Sequence, residues 1–521
     1  MHDPMSRSRI CLLALCFLLL PGIQVRSPAQ IDHGWRSPIP AAMDRVLDSI
    51  TAQSLRSHVS FLASDALSGR TTPSIGQDAA AEYIAAQFRK AGLEPIGSTD
   101  YFQVTTMPEA RPDCGAFKCE FSIDGKMFDV SRERFALSTV TTLDIERAPV
   151  FKMKFSPHFQ DEVSSLSGKI LLLTAPDQPF DTAEGEELSS AWRQFMLRAR
   201  SVSPALIVWL DRHGAEGQSY FDTPQLRAPG RRQRGPLTAT IAEPSIAQAL
   251  GELPDGDTGV TFSLHVRERP PVQRRLRNVA AILRGSDPAL RETCVLLTAH
   301  YDGTGPTTPL SQDRIWNAAN DDASGVASVL DVALALGSLR EKPRRSIVFL
   351  AFFGEEEGML GSRYYANHPL VPLRDTIAAI NLEQLGRTDS SEGDQAGKAS
   401  VTGCDYSDVV EVLKAAGEES GITVARCGPN SDMYFTASDN IAFAEMGVPA
   451  HTLCVSYMYP DYHGPADHWE KIDFDNMARV TRMAARALLA LSMSDRVPVW
   501  NRSNPRTLRF DQARGRRIDS H

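Results

Sequence analysis

Thr293-Cys294-Val295-Leu296-Leu297-Thr298-Ala299-His300-Tyr301-Asp302 is an apolar run that ends abruptly in an imidazole and a carboxylate. Working outward, the pattern recurs. Asn278-Val279-Ala280-Ala281-Ile282-Leu283 precedes it, and Ser346-Ile347-Val348-Phe349-Leu350-Ala351-Phe352 and Thr376-Ile377-Ala378-Ala379-Ile380 follow. Helices are expected between them over residues 325–336 and from about Gly358. Near-continuous apolar strands alternating with helices predict an α/β fold: a central mixed, largely parallel sheet covered by helices on both faces. Ligands of such folds gather beyond the carboxyl ends of the strands. His300, Glu355 and Glu383 fall there.

Four more polar clusters accompany His300: Asn320-Asp321-Asp322-Ala323-Ser324-Gly325, Gly354-Glu355-Glu356-Glu357-Gly358, Asn381-Leu382-Glu383 and Tyr462-His463-Gly464-Pro465-Ala466-Asp467. Singly, each has a plain reading. A His-x-Asp is usually a satisfied pair, a run of glutamates a solvated turn, and Asp321-Asp322 a favourable charge at a helix N-terminus. Together they offer two imidazoles and several carboxylates, an ordinary ligand set for two divalent cations. Two adjacent metals need separate ligands and something shared, and His300, Asp321, Glu356, Glu383 and His463 fill those places. Asp302 is expected to accept the other N–H of His300, and Asp467 to serve His463 in the same way. The Glu355-Glu356 pair allows one carboxylate to bind metal while its neighbour stays free as general base.

A chain of 521 residues predicts two or three domains. The net charge of -9 offers no basic stripe, which speaks against a nucleic-acid partner. Arg7 and Arg9 ahead of the apolar run at residues 10–20, with Ser27-Pro28-Ala29 behind it, predict a secretory signal peptide over residues 1–29. The mature chain is then expected to be secreted or periplasmic, with no stable membrane span. Residues 30–107 predict helices, at 45–65 and about 75–91, docked on a later core. Short strand-like runs such as Lys169-Ile170-Leu171-Leu172-Leu173 and Ala205-Leu206-Ile207-Val208-Trp209 predict an inserted β-rich domain over 108–273, with a helix around 189–200. His158, His213 and His265 there are isolated and read as surface or structural residues. A catalytic domain over 274–494 follows, and a basic, solvated and disordered tail over 495–521. Export permits disulfides: Cys114 with Cys119 is one candidate pair, Cys404 with Cys427 another, and Cys294 reads as a buried thiol.

From Asn278 to about Leu491 the chain resembles the co-catalytic zinc aminopeptidase family, whose relatives include glutamate carboxypeptidase, the transferrin receptor and glutaminyl cyclase. The resemblance rests on His300-Tyr301-Asp302, Asn320 to Gly325, Gly354 to Ser362, Asn381-Leu382-Glu383 and Tyr462-His463. It implies two zinc ions, one held by His300 and Glu383, the other by Glu356 and His463, with Asp321 bridging. It implies Glu355 as general base, Asp302 as support for His300, and Tyr462 as donor to the oxyanion, a packing residue being the alternative for the tyrosine. It also implies a cis bond between Asp321 and Asp322. Glu383 departs from the aspartate of many members. Asp65-Ala66-Leu67-Ser68-Gly69-Arg70 is similar to the leading helices of exported bacterial members, and the β-rich segment resembles a protease-associated domain. The expected activity is hydrolysis of N-terminal peptide bonds of peptide substrates. Carboxypeptidase or dipeptidase action is the runner-up, and a non-catalytic, receptor-like protein the third reading.

Overall fold

Three strands, Cys294–His300, Ser346–Phe352 and Thr376–Leu382, are buried at every position, which is why their sequences read as unbroken apolar runs. The computed structural model describes residues 39–137, 140–154, 166–174, 203–210, 225–227, 237–306, 315–390, 392–424 and 428–519. All fall in one unit, Trp35–His521. The expected leader, the helix at 189–200, His158, His213 and Cys427 lie outside the described residues. No helix among those described is long and apolar enough to cross a membrane.

The main sheet has ten strands. Its order is Thr423–Val424, Lys398–Val401, Ala450–Cys454, Thr376–Leu382, Cys294–His300, Ser346–Phe352, Glu268–Leu283, Phe102–Pro112 and Gln225–Leu226, with Glu94–Pro95 also paired to Glu268–Leu283. The sheet is mixed, as expected, but not largely parallel. Four central strands, Ala450–Cys454 through Ser346–Phe352, run parallel. Glu268–Leu283 and Phe102–Pro112 on one side, and Lys398–Val401 on the other, pair antiparallel to their inner neighbours.

Alternate residues of each strand serve opposite faces. Val295, Leu297, Ala299, Phe349 and Ala351 join a core with Val326, Leu330, Met477, Val480 and Leu488 of helices Ser324–Gly337 and Phe474–Met493. Cys294, Leu296, Val348, Leu350 and Phe352 pack on the other face against Tyr365 and Phe443. The leading helices Ala52–Leu62 and Ile75–Lys90 bury Leu55, Val59, Ile84 and Phe88 in the first of these cores. The helix expected over 45–65 is in fact broken. A short helix ends at Val46, and Thr51 begins the next by accepting a hydrogen bond from the amide of Ser54 at 3.1 Å.

A second, eight-stranded sheet is built from residues 118–266, with its own apolar core around Phe121, Ile170, Val208, Ile241 and Phe262. The flanking segments at 108–112 and 268–273 belong to the long pair of strands in the main sheet, paired from Val279 and Phe102 to Glu268 and Pro112. His265 ends in this second sheet and lies 2.6 Å from Asp144 and 3.2 Å from Glu146.

Two expectations are corrected. The C-terminal segment is ordered: Leu508–Asp519 is a helix, and Phe510 is buried 5.1 Å from the ring of Trp500 and 5.5 Å from that of Phe435. These aromatics supply the apolar anchor that the arginine-rich composition conceals. Cys119 is a buried free thiol, so no bond joins it to Cys114. Cys404 is disulfide-bonded and Cys294 is a buried free thiol.

Candidate metal centre

The parallel strands end on one side of the sheet, and each hands a polar side chain to the same place. His300 is the last residue of its strand, Glu355 and Glu356 follow Ser346–Phe352, and Glu383 follows Thr376–Leu382. Asp321 arrives on the turn before helix Ser324–Gly337, and its bond to Asp322 is cis. His463 comes from the loop beyond Ala450–Cys454.

Two ligand triads result. One atom each of His300, Asp321 and Glu383 lie within 4.8 Å of one another, and so do those of Asp321, Glu356 and His463. Asp321 is common to both: its Oδ1 is 3.1 Å from His300 Nε2 and its Oδ2 3.1 Å from His463 Nε2. Glu356 Oε2 is 3.3 Å from His463 Nε2. The longer side chain of Glu383 does reach the cluster, where it accepts a hydrogen bond from the hydroxyl of Ser438.

The residues fit a pair of cations. Imidazole nitrogens and carboxylate oxygens at this spacing are zinc donors, and Glu356 Oε1 is buried without a hydrogen-bond partner. Burial and neighbouring carboxylates push Glu355 well above the usual carboxylate range, Glu356 upward too, and Glu383 to about 7. Burial opposes charge on His463, yet its contacts with Asp321 and Glu356 lift it to about 10. His300 is likewise lifted against burial by Asp302 and Asp321.

Around the triads, Asp302 Oδ1 lies 3.5 Å from His300 Nδ1 and accepts the amide of Glu355 at 3.1 Å. Asp467 departs from expectation. It does not serve His463; its Oδ2 accepts the amides of Asn320 at 3.0 Å and Asp321 at 3.3 Å. The ring of Tyr462 stacks on His463 with centroids 4.0 Å apart. Burial and the carboxylates of Asp321 and Glu356 hold its phenol well above the usual value, so it keeps its proton. Sequence reasoning missed two contributors. Asp322 Oδ1 accepts the amides of Gly325 at 2.8 Å and Gln384 at 3.3 Å, joining the Asp321 turn to the residue after Glu383. Ser438 was not singled out at all; the Ser-Asp-Asn turn at 438–440 offers no distinctive pattern.

Residues 278–488 match the family model of peptidase family M28. A probable zinc metalloprotease of Leptosphaeria maculans is 33% identical over 130 residues, 25% of this chain and 28% of that protein. Aminopeptidase YwaD of Bacillus subtilis is 26% identical over 212 residues, 39% of this chain and 42% of that protein. The matched part therefore spans less than half the length of either relative. Among solved structures, the aminopeptidase from Aneurinibacillus sp. strain AM-1 shares the fold, with a TM-score of 0.53 at 19% identity over 85% of this chain and 95% of that one. In fold and in its paired ligand sets, the stretch 278–488 is thus similar to the zinc peptidases of family M28.

Proposed function

We propose that the chain is an exported two-zinc aminopeptidase. The observation behind this reading is the pair of ligand triads joined through Asp321, with Glu355 beside both. His300, Asp321 and Glu383 would hold one zinc ion, and Asp321, Glu356 and His463 the other. Bound zinc would supply Lewis acidity for the scissile carbonyl and for the attacking water. Glu355, whose proton affinity is raised first by burial and then by neighbouring carboxylates, would serve as the general base that takes a proton from the attacking water and passes it to the leaving amine. The protonated phenol of Tyr462, whose ring stacks on His463, would donate to the developing oxyanion.

The acidic surroundings support recognition of a free amine rather than a free carboxylate. Arg70 spends its donors on backbone carbonyls. Arg387 is held by Asp389 and Asp461, and Lys471 by Asp461 as well. A carboxypeptidase would need an uncommitted cation at this place, and among the described residues these three are committed elsewhere. The arginine-flanked apolar run ahead of the described residues supports export.

The test is Glu355→Gln. Bound zinc should stay at two ions per chain while hydrolysis of amino-acid p-nitroanilides falls about 10²–10⁴-fold. Full activity in that variant would remove the base. Preferential hydrolysis of N-blocked peptides by the wild-type chain would favour the carboxypeptidase reading.

A further inference from the structure

The turn ahead of helix Ile75–Lys90 lies outside residues 278–488, yet it reaches the loops that bear the ligands. Ser68, Gly69 and Arg70 take left-handed backbone angles, φ 48, 74 and 54°. A Cβ on Gly69 would stand 2.6 Å from the carbonyl oxygen of Trp316 and 3.1 Å from Cα of Gly305, so only glycine admits this close approach. Arg70, fully buried, then donates to the carbonyls of Tyr301, Asn317 and Ala318, each at 2.9 Å, and to that of Leu62. Tyr301 lies between His300 and Asp302, and Ala318 is on the approach to Asp321. Arg70 thereby seats the turn between two ligand-bearing segments.

Thr72 exploits that seat. Its hydroxyl donates to Asp302 Oδ2 at 3.0 Å, and it accepts from the amide of Gly354 at 3.1 Å and from the side-chain amide of Gln77. The other oxygen of Asp302 faces His300 Nδ1 at 3.5 Å and accepts the amide of Glu355 at 3.1 Å. One hydroxyl, with one proton to give and two lone pairs to offer, thus touches both the carboxylate behind His300 and the backbone just before Glu355.

We propose that Thr72 is a positioning residue of the metal centre: acting through Asp302, it keeps the ring of His300 and the backbone of Glu355 in fixed relation. This rests on the two-zinc reading of the site. Groups behind a ligand of this kind typically affect metal affinity by roughly 10- to 100-fold.

The experiment uses the full chain with Thr72→Ser, Thr72→Cys and Thr72→Val. Zinc affinity is measured by competition with a chromophoric chelator, the melting temperature on zinc-stripped protein, and kcat and KM separately. Zinc affinity should stay within about twofold for Thr72→Ser and fall roughly 10- to 100-fold for Thr72→Val, with Thr72→Cys between. The loss should fall on one of the two ions first and lower kcat more than KM. Cysteine, close to threonine in size, keeps the series informative should the valine variant not fold. Undiminished affinity in whichever of the two folds would overturn the inference. A wild-type chain that binds no zinc would instead overturn the two-zinc reading, so the two failures are distinct.

Discussion

Asp467 lies against the backbone of Asp321, whose amide it accepts at 3.3 Å while also accepting that of Asn320 at 3.0 Å and the phenol of Tyr459 at 3.0 Å. The bridging carboxylate is therefore fixed from behind, through its own main chain. Replacing Asp467 by Ala leaves buried amides without an acceptor, which costs about 2–4 kcal/mol. Because Asp321 belongs to both triads, zinc affinity should fall at both positions together. Denaturant titration and zinc competition on Asp467→Ala check this. Loss at one position alone would contradict it.

Zinc uptake should depend steeply on pH. Contacts with Asp321 and Glu356 lift metal-free His463 to about 10 against burial, so at neutral pH a cation must displace a proton to bind. His300 is raised as well. Below the raised value each unit fall in pH makes that exchange about tenfold harder per proton released. Apparent affinity should rise from pH 6 to pH 8, as read by chelator competition. A flat profile would show that the imidazoles are already neutral.

Acid stability should depend on His451. Its Nδ1–H donates to the carbonyl of Thr402 at 2.7 Å, so Nε2 accepts from the hydroxyl of Ser407 at 2.6 Å. That hydroxyl oxygen in turn accepts the amide of Val409 at the start of helix Asp408–Ser420. Burial lowers His451 from 6.5 to about 4. The unfolded chain takes the proton first, so this contribution is complete above about 6.5 and is lost as pH falls toward 4. The loss amounts to about 3 kcal/mol. Urea melts at pH 7 and pH 4.5 should show a smaller difference in His451→Gln than in the wild-type chain.

Phe510 should anchor the C-terminal helix. It is buried against Trp500 and Phe435, and Phe510→Ala is expected to cost about 3–5 kcal/mol. Denaturant titration measures it. An unchanged midpoint would make the helix dispensable to the fold.

The ligand clusters could be read in the sequence because apolar strands covered on both faces give way abruptly to polar residues where they end. His300, Glu356 and Glu383 each mark such an end. Glu383, although longer than the aspartate expected by resemblance, meets His300 and Asp321. What lay hidden was contact across long separations. Thr72 meets Asp302 from 230 residues away, and no periodicity encodes that meeting. The aim of Asp467 was hidden for a related reason: spacing places a carboxylate near a loop but does not choose between an imidazole and two amides. Charge misled at the C-terminus, where arginines masked Trp500 and Phe510. Counting strands overstated the parallel character, since direction depends on connections such as the return of Glu268–Leu283 beside Phe102–Pro112.

Those two long strands enter and leave the eight-stranded sheet as direct neighbours, with Met107 opposite Arg274 and Pro108 opposite Gln273. A hairpin closed at that level would preserve every ladder bond below it. Such a closure would excise the intervening chain in one step and leave the pairing of Met107 with Arg274 in place.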